Sequence, residues 1–203
     1  MPDRGLFWSP VPDWSRADIQ YPGLGITALS TQVAWLVSGN VARFLDRRAG
    51  LPCVGPRDTC DKGTYALRLA PDRLLFVSRD SALSDPPAFG WSDDGIAITD
   101  VSDGFILFDV TGAAAVDVMR LGADYDFEAG PAGSAESASM LFAGLKAAVA
   151  RFRPGWRLHV ERPHAAAMWH WLQRAASEWA KPPAHDSSRS QLPHSVATKQ
   201  VFR

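Results

Sequence analysis

The stretch Phe105-Ile-Leu-Phe-Asp-Val-Thr-Gly-Ala-Ala-Ala-Val-Asp-Val-Met-Arg-Leu121 decides how the rest of the chain is interpreted. Its first six residues are almost all apolar and rich in β-branched and aromatic types, which predicts a buried strand. Residues 115–121 then place apolar side chains at helical spacing, which predicts a short amphipathic helix. Between these segments Thr111 is a suitable N-cap and Gly112 permits a sharp turn, while Gly122 is placed as a C-cap glycine.

An earlier part of the chain has the same design. Residues 32–39 (QVAWLVSG) form an apolar run that ends in a hydroxyl and a glycine, and residues 41–45 continue with apolar side chains at helical spacing. Each copy is followed by two strand-like runs joined by a turn, which lie at residues 65–77 and 140–152. We therefore predict an α+β fold made of two duplicated β-α-β-β modules, with Ser38 and Thr111 at equivalent helix starts.

This organisation predicts four parts of the chain: an extended N-terminal arm at residues 1–30, a first α+β half at 31–103, a second at 104–181, and a flexible tail at 182–203. Residues 95–101 alternate as a strand and are expected to turn through 102–104 into the strand at 105 as a hairpin.

Near the end of the second half, residues 156–160 (WRLHV) alternate between apolar and polar side chains. This pattern predicts a half-buried strand with Arg157 and His159 facing outward. Pro163 is then well placed to open a helix, because the residues that follow carry an apolar stripe.

The predicted arm carries three large aromatic side chains among closely spaced prolines, which favour an extended path. Phe7, Trp8 and Trp14 are costly to leave in water, so they are expected to dock on apolar surface. That surface belongs either to the chain's own core or to another chain. In the second case these three residues form a partner-docking site.

Composition excludes several classes of function. The net charge of −1 gives no electrostatic footprint for nucleic acid or an anionic membrane. The N-terminal residues lack the cationic and apolar segments of a secretion signal, and no apolar run is long enough to span a bilayer. Cys53 and Cys60 are expected to be reduced thiols in a cytoplasmic protein, although a bridge between them is sterically conceivable.

A search for catalytic motifs gives no catalytic, cofactor-binding or metal-binding residues. The five histidines show no metal-ligand spacing, and the chain has neither a dinucleotide-binding glycine motif nor a phosphate-binding loop. Ser38 and Thr111 are explained by helix capping, and Asp100 and Asp103 by turn formation. The two strand–turn–helix units are therefore expected to have a structural role and no catalytic one.

Five stretches of the sequence, taken in order, match the pattern of a known family: residues 65–77 (YALRLAPDRLLFV), 98–105 (ITDVSDGF), 107–116 (LFDVTGAAAV), 156–163 (WRLHVERP) and 168–172 (MWHWL). Together they resemble the gamma subunit family of heterotetrameric sarcosine oxidase. Proteins of that family look like a shortened aminomethyltransferase, the T-protein of glycine cleavage, which has a folate-binding fold. The resemblance covers residues 31–179.

The resemblance implies an accessory subunit without a cofactor or active site of its own, in a cytoplasmic complex that oxidatively demethylates an N-methylated amino acid. It implies alpha and beta subunits that hold FAD, FMN, NAD and tetrahydrofolate, the last as acceptor of the methyl carbon, and a delta subunit that holds zinc. Two alternatives remain: a stand-alone folate-binding one-carbon protein of the T-protein kind, and a small regulatory module that binds a ligand between its halves.

Overall fold

The computed structural model describes residues 11–30, 33–48, 50–60, 63–79, 89–129 and 137–180. These residues form a mixed α+β fold of mostly antiparallel strands, as the sequence predicts. The strands are β1 (Asp18–Tyr21), β2 (Leu24–Ser30), β3 (Val33–Gly39), β4 (Cys53–Val54), β5 (Thr59–Cys60), β6 (Thr64–Ala70), β7 (Arg73–Ser78), β8 (Gly90–Trp91), β9 (Ile96–Asp100), β10 (Phe105–Thr111), β11 (Ser139–Phe142), β12 (Leu145–Phe152) and β13 (Gly155–Glu161). The α-helices are α1 (Val41–Asp46), α2 (Ala115–Gly122) and α3 (Arg162–Ala176).

The strands form two sheets with corresponding strand orders. Sheet 1 has the order β4-β6-β7-β3-β9-β8, and sheet 2 has the order β11-β12-β13-β10-β2-β1 with β5 added beside β12. Each sheet contains a pair of strands that directly precedes a strand of the other sheet in sequence. The β1–β2 hairpin precedes sheet 1 in sequence but pairs with β10, and the β8–β9 pair precedes β10 but pairs with β3. This exchange ties the two sheets together.

The sheets and helices stack in layers around three apolar clusters. One cluster fills the space between the two sheets, with Tyr65, Leu67 and Leu75 from sheet 1 and Leu107 and Phe152 from sheet 2. A second lies between sheet 2 and helices α2 and α3. The third lies between sheet 1 and α1. None of the helices within the described ranges combines the length and apolar character needed to span a bilayer.

The first strand–turn–helix unit and the second make the same backbone arrangement at their turns. Gly39 ends β3 with φ +95°, and Gly112 follows β10 with φ +99°. A Cβ atom at either position would overlap a carbonyl oxygen, that of Gly95 in sheet 1 and that of Gly23 in sheet 2. Those two carbonyls in turn accept hydrogen bonds from the residues that lead into α1 and α2. Glycine is therefore required at both turns.

The helix caps differ from the prediction. Asn40, not Ser38, caps α1, and its side chain accepts a hydrogen bond from the Arg43 amide. Helix α2 has no side-chain cap, because the Thr111 hydroxyl lies on β10 and donates to the Gly25 carbonyl of the neighbouring strand. Gly122 is not a C-cap glycine either: it is the last residue of α2, and its missing side chain leaves room for the ring of Phe142.

Three predicted strand relations are wrong. Strands β9 and β10 do not form a hairpin: residues 102–104 form a 3₁₀ turn that carries the chain from sheet 1 to sheet 2. The hairpin β6–β7 corresponds in sheet order to β12–β13, not to β11–β12. Strand β13 is buried on both faces, so Arg157 and His159 face the layer between the sheets instead of solvent. Alternation within one strand cannot show that a second sheet covers its polar face.

The predicted N-terminal arm is structured over part of its length. Residues 18–30 form the β1–β2 hairpin at one side of sheet 2, and Ala17 and Ile19 belong to the cluster beneath α3. Residues 1–10 and the predicted tail at 182–203 lie outside the described residues. Two short strands, β4 and β5, lie between α1 and β6 in sequence.

Candidate functional site

A buried polar network crosses the layer between the two sheets. Tyr65 on β6 belongs to sheet 1, whereas Asp109 on β10 and both Arg157 and His159 on β13 belong to sheet 2. Tyr65, Arg157 and His159 are at most 4% exposed. Asp109 is the cross-strand partner of Arg157 in the β10–β13 ladder, so both side chains leave the same face of the sheet.

Hydrogen bonds fix the protonation pattern of Tyr65 and His159. The Nδ1 atom of His159 lies 3.1 Å from the Ala148 carbonyl oxygen, which can only accept, so Nδ1 carries the proton and donates. The Nε2 atom therefore accepts, and its donor is the Tyr65 hydroxyl at 2.7 Å. The neutral imidazole of His159 therefore uses both of its nitrogens in hydrogen bonds, one as donor and one as acceptor.

The Arg157 guanidinium binds both remaining members of the network. Its Nε and Nη2 atoms donate to the two carboxylate oxygens of Asp109 at 2.5 and 2.7 Å, which is a bidentate pair. Its Nη1 atom donates to the Tyr65 hydroxyl at 3.3 Å. The guanidinium carbon also lies 4.3 Å from the centre of the Phe152 ring, at cation–π distance.

Burial holds these groups in fixed charge states. Burial, reinforced by the charge of Arg157, lowers the pKa of His159 to about 3, and burial raises the pKa of Tyr65 to about 12. Burial opposes the charge of Arg157, but its hydrogen bonds to Asp109 raise the pKa of the guanidinium above its ordinary value. Near neutral pH the His159 ring is therefore neutral and the Tyr65 hydroxyl keeps its proton, and both act as hydrogen-bond partners between the sheets.

A cleft of about 240 Å³ opens at the end of the inter-sheet layer, beside the Asp109–Arg157 pair. The start of β6, the residue after β7 and the β12–β13 turn form its walls, and they contribute Gly63, Arg79 and Arg153. Arg79 and Arg153 are exposed. The cleft thus joins a buried ion pair to two surface cations.

The structure describes one of the three predicted docking residues. Phe7 and Trp8 lie outside the described residues. Trp14 is half-buried, and its ring meets Phe108 edge-on with the ring centres 5.9 Å apart, so it contacts the chain's own core beneath α3. Docking of the arm on another chain stays a prediction.

The other candidates from the sequence are dispersed. His164 and His170 are exposed on α3, and Asp100 accepts hydrogen bonds from the backbone and hydroxyl of Ser102 in the 3₁₀ turn. Cys53 and Cys60 are not bridged. Within the described ranges, no three His, Cys, Asp or Glu side chains gather as a metal site would require. His185 and His194 lie outside those ranges.

Sequence reasoning missed the polar network, although one signal was present. Asp109 interrupts an apolar run that is otherwise typical of a fully buried strand. A carboxylate in such a strand needs a cationic partner, because an unpaired buried charge is strongly unfavourable. Arg157 is the partner, and the alternation of β13 concealed it.

Comparison with solved structures shows that this arrangement has been seen before. No protein-family model matches the sequence, and no curated relative matches it at a significant level. A chain in the solved structure of heterotetrameric sarcosine oxidase from Corynebacterium sp. U-96, in complex with pyrrole 2-carboxylate, matches with a TM-score of 0.59 and 20% sequence identity. The match covers 82% of this chain and 90% of that chain.

The chain shares the fold of a sarcosine oxidase chain. At 20% identity the similarity is one of fold. It extends over nearly the full length of the sarcosine oxidase chain.

Proposed function

We propose that this chain is a non-catalytic accessory subunit, of the gamma kind, in a multi-subunit flavin-dependent complex of the sarcosine oxidase type. The observation that carries the proposal is the fold likeness to a chain of such a heterotetramer over 82% of this chain and 90% of that chain. The likeness takes in nearly all of the matched sarcosine oxidase chain, which supports a role that corresponds to that chain.

The proposal includes a duplicated architecture of the aminomethyltransferase folate-binding kind. It is supported by the corresponding strand orders of the two sheets and by the equivalent turns at Gly39 and Gly112. The exchanged hairpins make the two copies interdependent. In this proposal, the fold of a one-carbon enzyme serves as a scaffold.

The chemistry between the sheets supports an accessory role. The buried polar network that crosses the inter-sheet layer consists of Tyr65, Asp109, Arg157 and His159, and these side chains bind one another. Apolar side chains fill the rest of that layer. A layer built in this way stabilises the fold and leaves the reaction to other chains.

In the proposed complex, the partners are alpha, beta and delta subunits. The larger chains hold FAD, FMN, NAD and tetrahydrofolate, and the delta chain holds zinc. The complex oxidises an N-methylated amino acid and passes the methyl carbon to tetrahydrofolate on a larger subunit. This chain contributes contact surface to that assembly.

Two exposed apolar side chains on edge strands are the proposed contacts with the larger subunits. Trp91 on β8, at the edge of sheet 1, is 73% exposed, and Leu141 on β11, at the edge of sheet 2, is 69% exposed. Tryptophan recurs as an anchor at protein interfaces because it buries a large area with few rotatable bonds. The N-terminal arm with Phe7 and Trp8 is proposed to add to this contact.

The test is co-purification. The tagged chain is isolated from its own cells and the visible spectrum of the eluate is recorded. We expect larger chains and a flavin absorption band to elute with it. A second preparation carries Trp91→Ala, with Gln173→Ala as a control because Gln173 is exposed on α3 and belongs neither to an edge strand nor to the N-terminal arm. The alanine at position 91 should reduce flavin recovery, and the control should not. Elution of the chain alone contradicts the proposal.

A titration separates the proposal from the stand-alone alternative. Tetrahydrofolate is added to the isolated full chain and the heat of binding is measured. An accessory subunit gives no binding at micromolar concentration. A micromolar dissociation constant, which corresponds to about −8 kcal/mol, favours a stand-alone folate-binding protein.

A further inference from the structure

The cleft at the end of the inter-sheet layer carries an excess of positive charge. Arg79, Arg153 and Arg157 line it, and Asp109 is the one carboxylate among the described residues that form its wall. Both oxygens of Asp109 are bound by Arg157, whose side chain is 5% exposed. The negative charge of Asp109 is therefore neutralised within the wall.

Among the residues that the structure describes, none neutralises the two remaining arginines in this way. Within the described ranges, no carboxylate lies within 4.0 Å of the guanidinium of Arg79 or Arg153. Arg79 directly follows β7 in sheet 1, and Arg153 stands in the β12–β13 turn of sheet 2. One cation thus comes from each sheet, and the buried pair of Arg157 and Asp109 lines the same cleft.

The walls of the cleft are held in place by the fold. The Arg157 guanidinium is fixed by Asp109, Tyr65 and the ring of Phe152. Gly155 follows the turn and lies so close to β10 that a Cβ atom would overlap the Val110 carbonyl. On the other side, the backbone N–H of Arg153 donates to the Cys60 carbonyl at 3.4 Å. The turn that presents Arg153 is therefore anchored on both sides, which lowers the entropic cost of holding a ligand there.

We propose that this cleft binds a small oxyanion, a phosphate or a dicarboxylate, between Arg79 and Arg153. Guanidinium groups match the paired oxygens of both ligands. At about 240 Å³ the cleft is smaller than the pockets that accept drug-sized ligands, which suits an anion of few atoms. This proposal does not rest on the proposed function, because it concerns only the residues of this chain.

Calorimetric titration of the full chain with inorganic phosphate and, separately, with succinate tests the proposal. In a buffer of low ionic strength we expect one of the two anions to bind with a dissociation constant of about 1 mM or lower. Comparison of the two titrations distinguishes a phosphate site from a dicarboxylate site. Added salt should weaken binding, since the two arginines are exposed.

Three glutamine variants localise the site. Arg79→Gln and Arg153→Gln should each weaken binding by at least about tenfold, because each removes a charge-assisted contact. Arg73→Gln removes the same charge from the other end of β7 and should leave affinity within about twofold. If a glutamine variant melts earlier than the parent, Arg153→Lys keeps the charge and should still weaken binding, because it loses the planar fork.

Two results would overturn the proposal. One is the absence of binding by either anion at about 10 mM, well above the expected dissociation constant. The other is equal weakening by Arg73→Gln and Arg153→Gln, which would show a general effect of net charge instead of a site.

Discussion

Replacing Tyr65 by phenylalanine removes one buried hydroxyl from the centre of the molecule and leaves its two hydrogen-bond partners in place. The hydroxyl donates to His159 Nε2 at 2.7 Å and accepts from Arg157 Nη1 at 3.3 Å. The ring is retained, so its edge-on contact with Phe152 at 4.8 Å is kept and no cavity forms. The change therefore isolates the hydrogen bonds of the inter-sheet network.

The expected cost follows from what is left unsatisfied. His159 is 1% exposed and keeps only its bond to Ala148, while Arg157 keeps Asp109. A buried polar group without its partner costs about 1–3 kcal/mol, and here two groups lose one partner each. Since Arg157 retains most of its bonds, we expect Tyr65→Phe to lower the free energy of unfolding by about 2–3 kcal/mol.

Urea unfolding measures this loss, and Tyr21→Phe is the matched control. Tyr21 is half-buried on β1, and its hydroxyl bonds to no residue that the structure describes. Its replacement should change the free energy of unfolding by no more than about 0.5 kcal/mol. If Tyr65→Phe costs no more than Tyr21→Phe, the network does not join the sheets and the reasoning is refuted.

Further expectations concern acid stability, the backbone geometry of the turn at Gly112, and the N-terminal arm. Because the pKa of His159 is about 3 when folded and 6.5 ordinarily, the unfolded chain takes up a proton that the folded chain refuses as pH falls from 6.5 toward 3. His159 alone should therefore lower the free energy of unfolding by up to about 1.4 kcal/mol for each unit that the pH falls in this range. Urea unfolding at several pH values measures this dependence, which His159→Gln should remove and the control His170→Gln should keep. Gly112→Ala should lower the free energy of unfolding by about 2 kcal/mol or more, as measured by thermal unfolding. Gly23→Ala, which has open space around its Cβ atom, should lower it by about 1 kcal/mol. Equal losses would contradict the turn geometry. Trp14→Ala should lower the melting temperature by about 5 °C because its ring rests on Phe108, and an unchanged melting temperature would assign Trp14 to another chain.

The local elements could be predicted from the sequence because their signals are local. The strand and helix that begin at Phe105 and end at Gly122 were marked by an apolar run, a glycine turn and helical spacing, and the structure confirms them as β10 and α2. The same pattern identified β3 and α1. Pro163 likewise lies in the first turn of α3.

The relations between elements could not be predicted in the same way. Whether residues 102–104 turn back within one sheet or cross to another depends on which strand is paired with β9, and that strand, β3, is distant in sequence. The burial of Arg157 and His159 depends on a second sheet above β13, which no alternation within the strand reveals. For the same reason the inter-sheet network and the arginine cleft emerged only from the fold.

The native mass of the particle that contains this chain in its own cells tests the proposed subunit role directly. We expect a hetero-oligomer that contains this 22.1 kDa chain, larger chains and bound flavin, observed by native mass spectrometry. A particle whose mass is 22.1 kDa or a whole multiple of it, without flavin, would contradict the account and show that the fold of a sarcosine oxidase chain is used here for another purpose.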